Sequence, residues 1–211
     1  MPAAAHPDTD ELLDRAGRGD VPARNLLLVR HRARLKKMVA IRLDRRLAAR
    51  VDPSDLVQET LAEADRRLDD YLRDRPLPFY PWLRRLAGER LIAAHRRHVR
   101  ARHRSVEREE PWAPPLPDAS AVALVDRLAA SGTSPSGHLL RQELRQRLRA
   151  ALEQLGPHDR EILVLRHLEQ LSVAETAAAL GISERAAKAR HMRALVRLRG
   201  LFDDETREED R

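Results

Sequence analysis

The sequence predicts an all-α fold in which two small helical domains are joined by a flexible linker, the C-terminal domain containing a helix-turn-helix. The first observation is the composition, because only 3% of the 211 residues are aromatic whereas 42% are hydrophobic. Leu, Ala, Arg and Glu dominate, and these are good helix formers, whereas sandwiches and barrels depend on aromatic and β-branched residues. The second observation is that apolar residues recur at helical spacing on both sides of a proline-rich interruption.

The predicted N-terminal domain covers residues 10–104 and is a run of helices. A helix is predicted to begin at Pro53, because proline is tolerated in the first helical turn and disfavours helix at Asp52 before it. Three further prolines predict a break before the next apolar stretch, at Pro76, Pro78 and Pro81.

The linker is predicted at residues 105–138. Four prolines between 111 and 117 indicate a semi-rigid part, and the segment SGTSPSG at 131–137 indicates a flexible part. A short helix, Val122 to Ala129, is expected between them. The C-terminal domain is predicted at 139–201, and the charged segment DDETREEDR that follows is expected to be a solvated tail.

Several classes of protein are excluded by what the sequence lacks. There is no Cys, which excludes disulfide frameworks, thiol nucleophiles and Cys-based zinc sites. The first fifteen residues have neither a basic nor an apolar signal-peptide region, and no apolar run approaches the roughly 20 residues that span a bilayer. We therefore expect a cytoplasmic protein that does not associate with a membrane.

No enzyme activity, catalytic residue, cofactor or metal site is predicted. The sequence has no Gly-rich phosphate loop, no nucleophile elbow and no His-Glu-x-x-His motif. His95, His98 and His103 are loosely spaced, have no acidic residue close by, and lie among arginines that would repel a divalent cation.

Residues 173–188 carry the most specific local pattern, which predicts a helix, a tight turn and a second helix. Gly181 suits the left-handed conformation at a helix C-terminus, and Ser183 suits the N-cap of the next helix. This is the spacing of a helix-turn-helix, whose second helix enters the DNA major groove. An ordinary helical hairpin with a solvated basic face is the alternative. Helical geometry predicts that Ala187, His191, Ala194 and Leu198 face the domain. The candidate DNA contacts are Ser183, Arg185, Lys188, Arg190 and Arg193.

An arginine-rich segment with aromatic residues just before it predicts contacts with single-stranded DNA. Residues 84–104 contain eight Arg and one Glu, a net charge of +7 that equals that of the whole chain. Unstacked bases stack on aromatic rings while phosphates pair with cations. The alternative is a solvated helix end with aromatic core anchors, and for Trp82 the core interpretation is favoured. The candidate DNA contacts are Trp82, Arg96, Arg97 and Arg100.

The segment from Asp55 to Glu59 belongs to a helix with an acidic-polar edge and an apolar opposite side. In a basic chain such an edge suggests a protein partner through electrostatic complementarity. An ordinary exposed helix face is the alternative. The candidate contact residues are Asp55, Leu56, Gln58 and Glu59.

Taken together, these segments resemble the bacterial RNA polymerase sigma factors of the small, two-domain extracytoplasmic-function (ECF) type. Residues 55–59 resemble the helix that in this family grips the clamp helices of the polymerase β′ subunit. Residues 81–97 resemble the stretch that melts and reads the −10 promoter element. Residues 155–172, which run into the helix-turn-helix, resemble the domain that reads the −35 element. The resemblance rests on the order and separation of these segments and covers residues 10–104 and 139–200.

The resemblance implies a specificity subunit that directs core RNA polymerase to promoters. It assigns core binding to the edge around Asp55, −10 recognition to the arginine-rich segment, and −35 recognition to the helix-turn-helix. The implied partners are core polymerase and promoter DNA, and an anti-sigma factor stays open as a further partner. Two other classes of function stay open from the residues: a helix-turn-helix regulator that does not associate with polymerase, and an all-helical interaction adaptor.

Two positions in the predicted DNA-reading helix depart from the pattern of the family. Relatives often have a branched apolar residue where this chain has Ala187, and Leu where it has His191. Ala and His are weak core residues, so we expect looser packing of this helix against its domain.

Overall fold

The computed structural model describes residues 8–43, 50–100, 118–130 and 138–209. Every regular element within these ranges is helical, which confirms the predicted all-α class. The chain divides into two units between Pro114 and Pro115. None of the described helices is both long enough and apolar enough to cross a membrane.

The N-terminal unit is built around the long helix α2, which packs against α1, α3 and α5. Its core includes the buried side chains of Leu27, Leu35, Val57 and Leu83. The described helices of this unit are α1 (Thr9–Gly17), α2 (Val21–Arg42), α3 (Pro53–Arg66), α4 (Leu68–Asp74) and α5 (Phe79–Arg100).

Aspartate side chains cap the first three helices of this unit. Asp20 accepts a hydrogen bond from the backbone N–H of Ala23 at 3.0 Å, and this bond lowers the pKa of the Asp20 carboxyl. Asp52 accepts from the N–H of Ser54 at 2.6 Å, with Pro53 as the first residue of α3. The predicted helix start at Pro53 is confirmed. These carboxylates satisfy N–H groups that have no partner within their own helix.

The prolines after α4 have two different positions. Pro76 and Pro78 lie in the connection before α5, as predicted. Pro81 lies inside the first turn of α5, so the predicted break there is wrong. A proline is compatible with this turn, because the first N–H groups of a helix have no intrahelical acceptor.

The C-terminal unit contains α6 (Asp118–Ala130), α7 (His138–Gln154), α8 (Pro157–Leu163), a π-helical turn (Val164–Leu168), α9 (Val173–Leu180) and α10 (Glu184–Glu209). Helix α6 forms within the segment predicted as linker and extends beyond the short helix expected there. It packs against α7 and the π-helical turn and buries Leu124 and Val125. The remainder of the predicted linker, 105–117 and 131–137, lies outside the described residues.

Helix α10 is longer than the sequence pattern indicates. We expected helix to end near Leu201, but α10 continues to Glu209 through the acidic segment. No proline interrupts this segment, and its Glu and Arg residues are good helix formers. The predicted end of helix near Leu201 is therefore wrong, because a high content of charged residues does not by itself prevent helix.

Candidate polymerase and DNA interfaces

Helix α3 carries the acidic-polar edge that the sequence predicts as a protein contact. Asp55, Gln58 and Glu59 are exposed along this helix, and we call these three residues the docking edge. Leu56 points to the interior and is only 3% exposed. The predicted contact through Leu56 is therefore corrected, because its side chain packs in the core and supports the docking edge from inside.

Arg90 of α5 reaches across to the docking edge. Its Nη1 lies 3.2 Å from Oε2 of Glu59, and its Nη2 lies 3.3 Å from Oε2 of Glu63. Glu63 also pairs with Arg66, the last residue of α3, and with Arg67, which directly follows the helix. The hydrogen bond from Arg66 is the main cause that lowers the pKa of the Glu63 carboxyl. Arg90, one of the eight arginines of the basic segment, is thus engaged inside its own unit.

The remaining arginines of α5 divide into a buried and an exposed group. Arg84 is 2% exposed, so its guanidinium cannot reach a nucleic acid in this structure. Arg96 and Arg97 are exposed near the end of the helix, and neither has a hydrogen-bond or ion-pair partner among the described residues. Arg100 is the last residue of α5, and its side chain lies outside the described part. The open cations of α5 are therefore at its C-terminal end.

The histidines of this segment give no metal site in the part of the chain that can be assessed. His95 is half-buried on α5, while the side chain of His98 and all of His103 lie outside the described residues. Among the side chains that the structure describes, no group of three or more His, Asp or Glu residues could hold a metal ion.

The aromatic residues near the arginines form part of the core. Tyr71, Phe79 and Tyr80 are at most 4% exposed. The Trp82 ring centroid lies 4.5 Å from that of Tyr71 and 5.6 Å from that of Phe79. Burial raises the pKa of the Tyr71 hydroxyl, which donates to the Leu77 carbonyl, to about 12. The prediction of Trp82 as a DNA contact is corrected, because its ring is enclosed by aromatic neighbours and not available for base stacking.

Helices α9 and α10 form the helix-turn-helix that the sequence predicts. Helix α9 begins with a capping box in which Ser172 and Glu175 exchange hydrogen bonds. It ends at Gly181, whose φ of 64° is in the left-handed region that glycine enters without strain. Ser183 then caps α10 by accepting a hydrogen bond from the N–H of Ala186 at 3.2 Å. The turn chemistry predicted for both Gly181 and Ser183 is confirmed.

Helix α10 separates small buried residues from an exposed basic face. Ala187, Ala194 and Leu198 are at most 5% exposed and face the unit. The predicted inner face of this helix is thus confirmed. Arg190 is half-buried at the margin between the faces, and the exposed members of the predicted DNA-contact set are Ser183, Arg185, Lys188 and Arg193.

Polar contacts with α8 and with the π-helical turn hold α10 against the rest of its unit. Arg197 pairs with the buried carboxylate of Asp159 on α8. The Nε2 atoms of His167, in the π-helical turn, and His191, on α10, lie 3.0 Å apart. At this distance one imidazole donates a hydrogen bond to the other, which requires at least one of the two rings to be neutral.

The surroundings of this histidine pair favour its neutral form. Burial is the main cause that lowers the pKa of both imidazoles, and Arg166 adds a like charge near each. The pKa of His167 is lowered further by His191 and by Arg127 of α6. Sequence reasoning placed His191 on the inner face but missed His167, because the two are 24 residues apart. The sequence indicated a polar contact only through His191 itself, which stands where the family that the chain resembles often has Leu.

The exposed groups of the two units suit binding. The open guanidinium and ammonium groups on α5 and α10 can hold phosphates, and those at the start of α10 can also reach base edges. The carboxylates and the amide of the docking edge can accept hydrogen bonds from cationic or N–H groups of a protein.

Comparison with known proteins relates both units to one family. Residues 145–198 match the family model of Sigma-70, region 4. The ECF RNA polymerase sigma-E factor of Escherichia coli (strain K12) is 31% identical over 176 residues, which are 81% of this chain and 82% of that protein. The RNA polymerase sigma-E factor of Streptomyces antibioticus is 53% identical over a shorter stretch of 49 residues, 23% of this chain and 27% of the relative.

A solved structure extends this similarity to the fold. The structure of CnrH in complex with the cytosolic domain of CnrY has a TM-score of 0.51 and 27% sequence identity, and the match covers 93% of this chain and 99% of that one. The similarity thus includes the helices of the docking edge and the basic α5 as well as the helix-turn-helix. From this extent of sequence and structural similarity we conclude that the chain belongs to the ECF family of RNA polymerase sigma factors, which act in transcription initiation.

Proposed function

We propose that this sigma factor selects promoters by reading a −35 element with α10 and a −10 element with α5, while α3 attaches it to core RNA polymerase. The observation that carries the proposal is the division of α10, which buries Ala187, Ala194 and Leu198 and presents Arg185, Lys188 and Arg193 outward. A helix held from one side and basic on the other is suited to the major groove.

At the −35 element, Arg185 and Lys188 lie in the first turns of α10, the part of a recognition helix that contacts base edges. Arg193 lies farther along the helix and is assigned to phosphates, with Arg190 beside it at the margin. Ser183 stands at the helix N-terminus, where backbone N–H groups and the helix dipole favour a phosphate.

At the −10 element, Arg96 and Arg97 are the proposed phosphate contacts, with Arg100 continuing the same helix. They lie on the helix whose first turn packs into the buried aromatic cluster. Trp82 has no direct role in this proposal. The −10 contact therefore depends on cations at the end of α5, and its strength should fall as salt rises.

The docking edge is proposed to bind the β′ clamp helices of core polymerase, as the resemblance of residues 55–59 implies. Asp55 and Gln58 are exposed and Glu59 is held by Arg90. An anti-sigma factor is a further proposed partner. CnrH, whose fold is similar, was solved with the cytosolic domain of CnrY. The proposed place of action is the cytoplasm, and the proposed role is non-catalytic.

The experiment that tests the function is run-off transcription with purified core RNA polymerase on a library of genomic promoter fragments. We expect addition of this protein to produce transcripts that start downstream of a shared pair of sequence elements. A Gln58→Ala, Asp55→Ala variant should lose this activity together with its association with core polymerase. Binding to promoter DNA without any association with core would contradict the proposal and support a polymerase-independent regulator. Loss of both interactions would support an adaptor.

A further inference from the structure

Arg90 connects the two helices to which different functions are assigned. It lies on α5 among the arginines of the basic segment, yet its guanidinium contacts Glu59 and Glu63 of α3, 31 and 27 residues away. Within that segment, Arg85 pairs instead with Glu89 on its own helix at 3.7 Å. Among the described ion pairs, that of Arg90 with Glu59 is the one that reaches the docking edge.

The carboxylate of Glu63 is the fixed end of this arrangement. Its side chain is only 16% exposed, and it accepts from Arg66 and Arg67 as well as from Arg90. A carboxylate with several charged donors has little rotational freedom. Glu63 therefore holds the guanidinium of Arg90 in place, and Arg90 in turn holds Glu59.

The carboxylate of Glu59 is the open end of the same arrangement. Its side chain is 49% exposed, and its contact with Arg90 uses Oε2. The other oxygen, Oε1, has no partner among the described residues and can accept a hydrogen bond from a second protein. A glutamate on a helix surface normally loses rotamer freedom on binding, and this loss opposes association.

We propose that Arg90 is a positioning residue for polymerase docking, which fixes the side chain of Glu59 so that its free oxygen is presented to core RNA polymerase. The partner chemistry that fits is a guanidinium, ammonium or N–H donor. This inference rests on the proposed function of the docking edge. It assigns Arg90, which lies in the arginine-rich segment, an effect on core affinity through Glu59.

The test is a double-mutant cycle on the affinity of full-length sigma factor for purified core polymerase. The variants are Arg90→Gln, Glu59→Gln and the two together. We expect Arg90→Gln to raise the Kd about threefold, since partly exposed ion pairs contribute up to about 1 kcal/mol. In the Glu59→Gln background the same change should have no further effect, because the side chain that it positions is no longer a carboxylate.

The matched control is Arg85→Gln, which removes the same charge from the same helix but breaks only the pair with Glu89. It should leave core affinity unchanged. The conservative variant Arg90→Lys should recover part of the affinity, since an ammonium can still pair with Glu59. Urea denaturation of each variant separates a loss of affinity from a loss of folded protein.

Three results would overturn the inference. Equal losses from Arg90→Gln with and without Glu59 would show that Arg90 acts elsewhere, and tighter binding would show that it competes with the polymerase for Glu59. Normal core affinity with impaired −10 opening at saturating core would place Arg90 on DNA. Failure of the docking edge itself is distinguishable, because the Gln58→Ala, Asp55→Ala variant would then also bind core normally.

Discussion

The basic segments of the two units look alike in sequence but differ in what their charges contact. On α5, Arg84 is buried and Arg90 bridges two carboxylates of α3. The exposed Arg85 pairs with Glu89. Among the described side chains, the cations of α5 without a partner therefore lie at the end of the helix. On α10, Arg185 and Lys188 are exposed from the first turn. A run of arginines therefore overstates the surface available to DNA wherever a neighbouring helix supplies carboxylates.

The aromatic residues beside the arginines of α5 are also buried and not open to DNA. Substitution of one of them should give the largest change, a loss of stability of the N-terminal unit. We expect Trp82→Ala to destabilise the N-terminal unit by about 3–5 kcal/mol, because it removes a ring packed against Tyr71 and Phe79. Trp82→Phe keeps an aromatic ring and should cost much less. The measurement is urea denaturation followed by circular dichroism. A Trp82→Phe variant with normal stability but without −10 opening would instead place this ring on DNA.

The open cations of α10 give the next largest effect. We expect Arg185→Ala combined with Lys188→Ala to reduce transcription from a −35-dependent promoter at least about tenfold, since each good base contact contributes about 1–3 kcal/mol. Run-off transcription by the reconstituted holoenzyme measures this loss. The control is Arg149→Ala, which removes a cation paired with Glu153 on α7. An equal loss of transcription from the double variant and from Arg149→Ala would indicate a general requirement for positive charge and would contradict a reading role for α10.

A substitution in the turn before α10 should have a smaller effect, which is on the stability of the C-terminal unit. Gly181 has a φ of +64° and open space where a Cβ would lie. We expect Gly181→Ala to destabilise the C-terminal unit by about 1–2 kcal/mol, because alanine is strained in the left-handed region. Thermal unfolding measures the change. Gly181→Asn should cost less, since asparagine tolerates this conformation, and equal losses for the two variants would point to a steric cause.

The histidine pair predicts a modest pH dependence of the C-terminal unit. The folded state holds the pKa values of His167 and His191 below the usual 6.5, chiefly by burial. The unfolded chain therefore binds more protons, so the contribution of the pair is present above pH 6.5 and is lost as pH falls towards the lowered folded values. Arg127 and Arg166 face the pair and oppose its protonation.

This dependence is measured as the urea midpoint of the wild type and of His191→Leu between pH 7.5 and 5.5. We expect the wild type to lose stability over this interval and the variant to change less. An unchanged slope in His191→Leu would show that other groups carry the pH dependence.

Local patterns predicted much of the fold and of one interface. Pro53 after Asp52 indicated a helix start, and Gly181 followed by Ser183 indicated the turn of the helix-turn-helix, because these residues act within one helical turn. The inner and outer faces of α10 also followed from helical geometry alone. The burial of Leu56 was accessible to the same argument, since it lies among the apolar residues of α3.

Contacts between distant residues were not accessible in this way. The sequence by itself determined the helices, their caps and the face of α10 that carries Arg185 and Lys188, because these depend on residues within one helix or at its ends. Only the tertiary structure decided that Arg90 meets Glu59 and that His167 meets His191. Such pairs form because helix packing brings together side chains 24 or more residues apart, and a single sequence carries no record of which carboxylate or imidazole will be the neighbour.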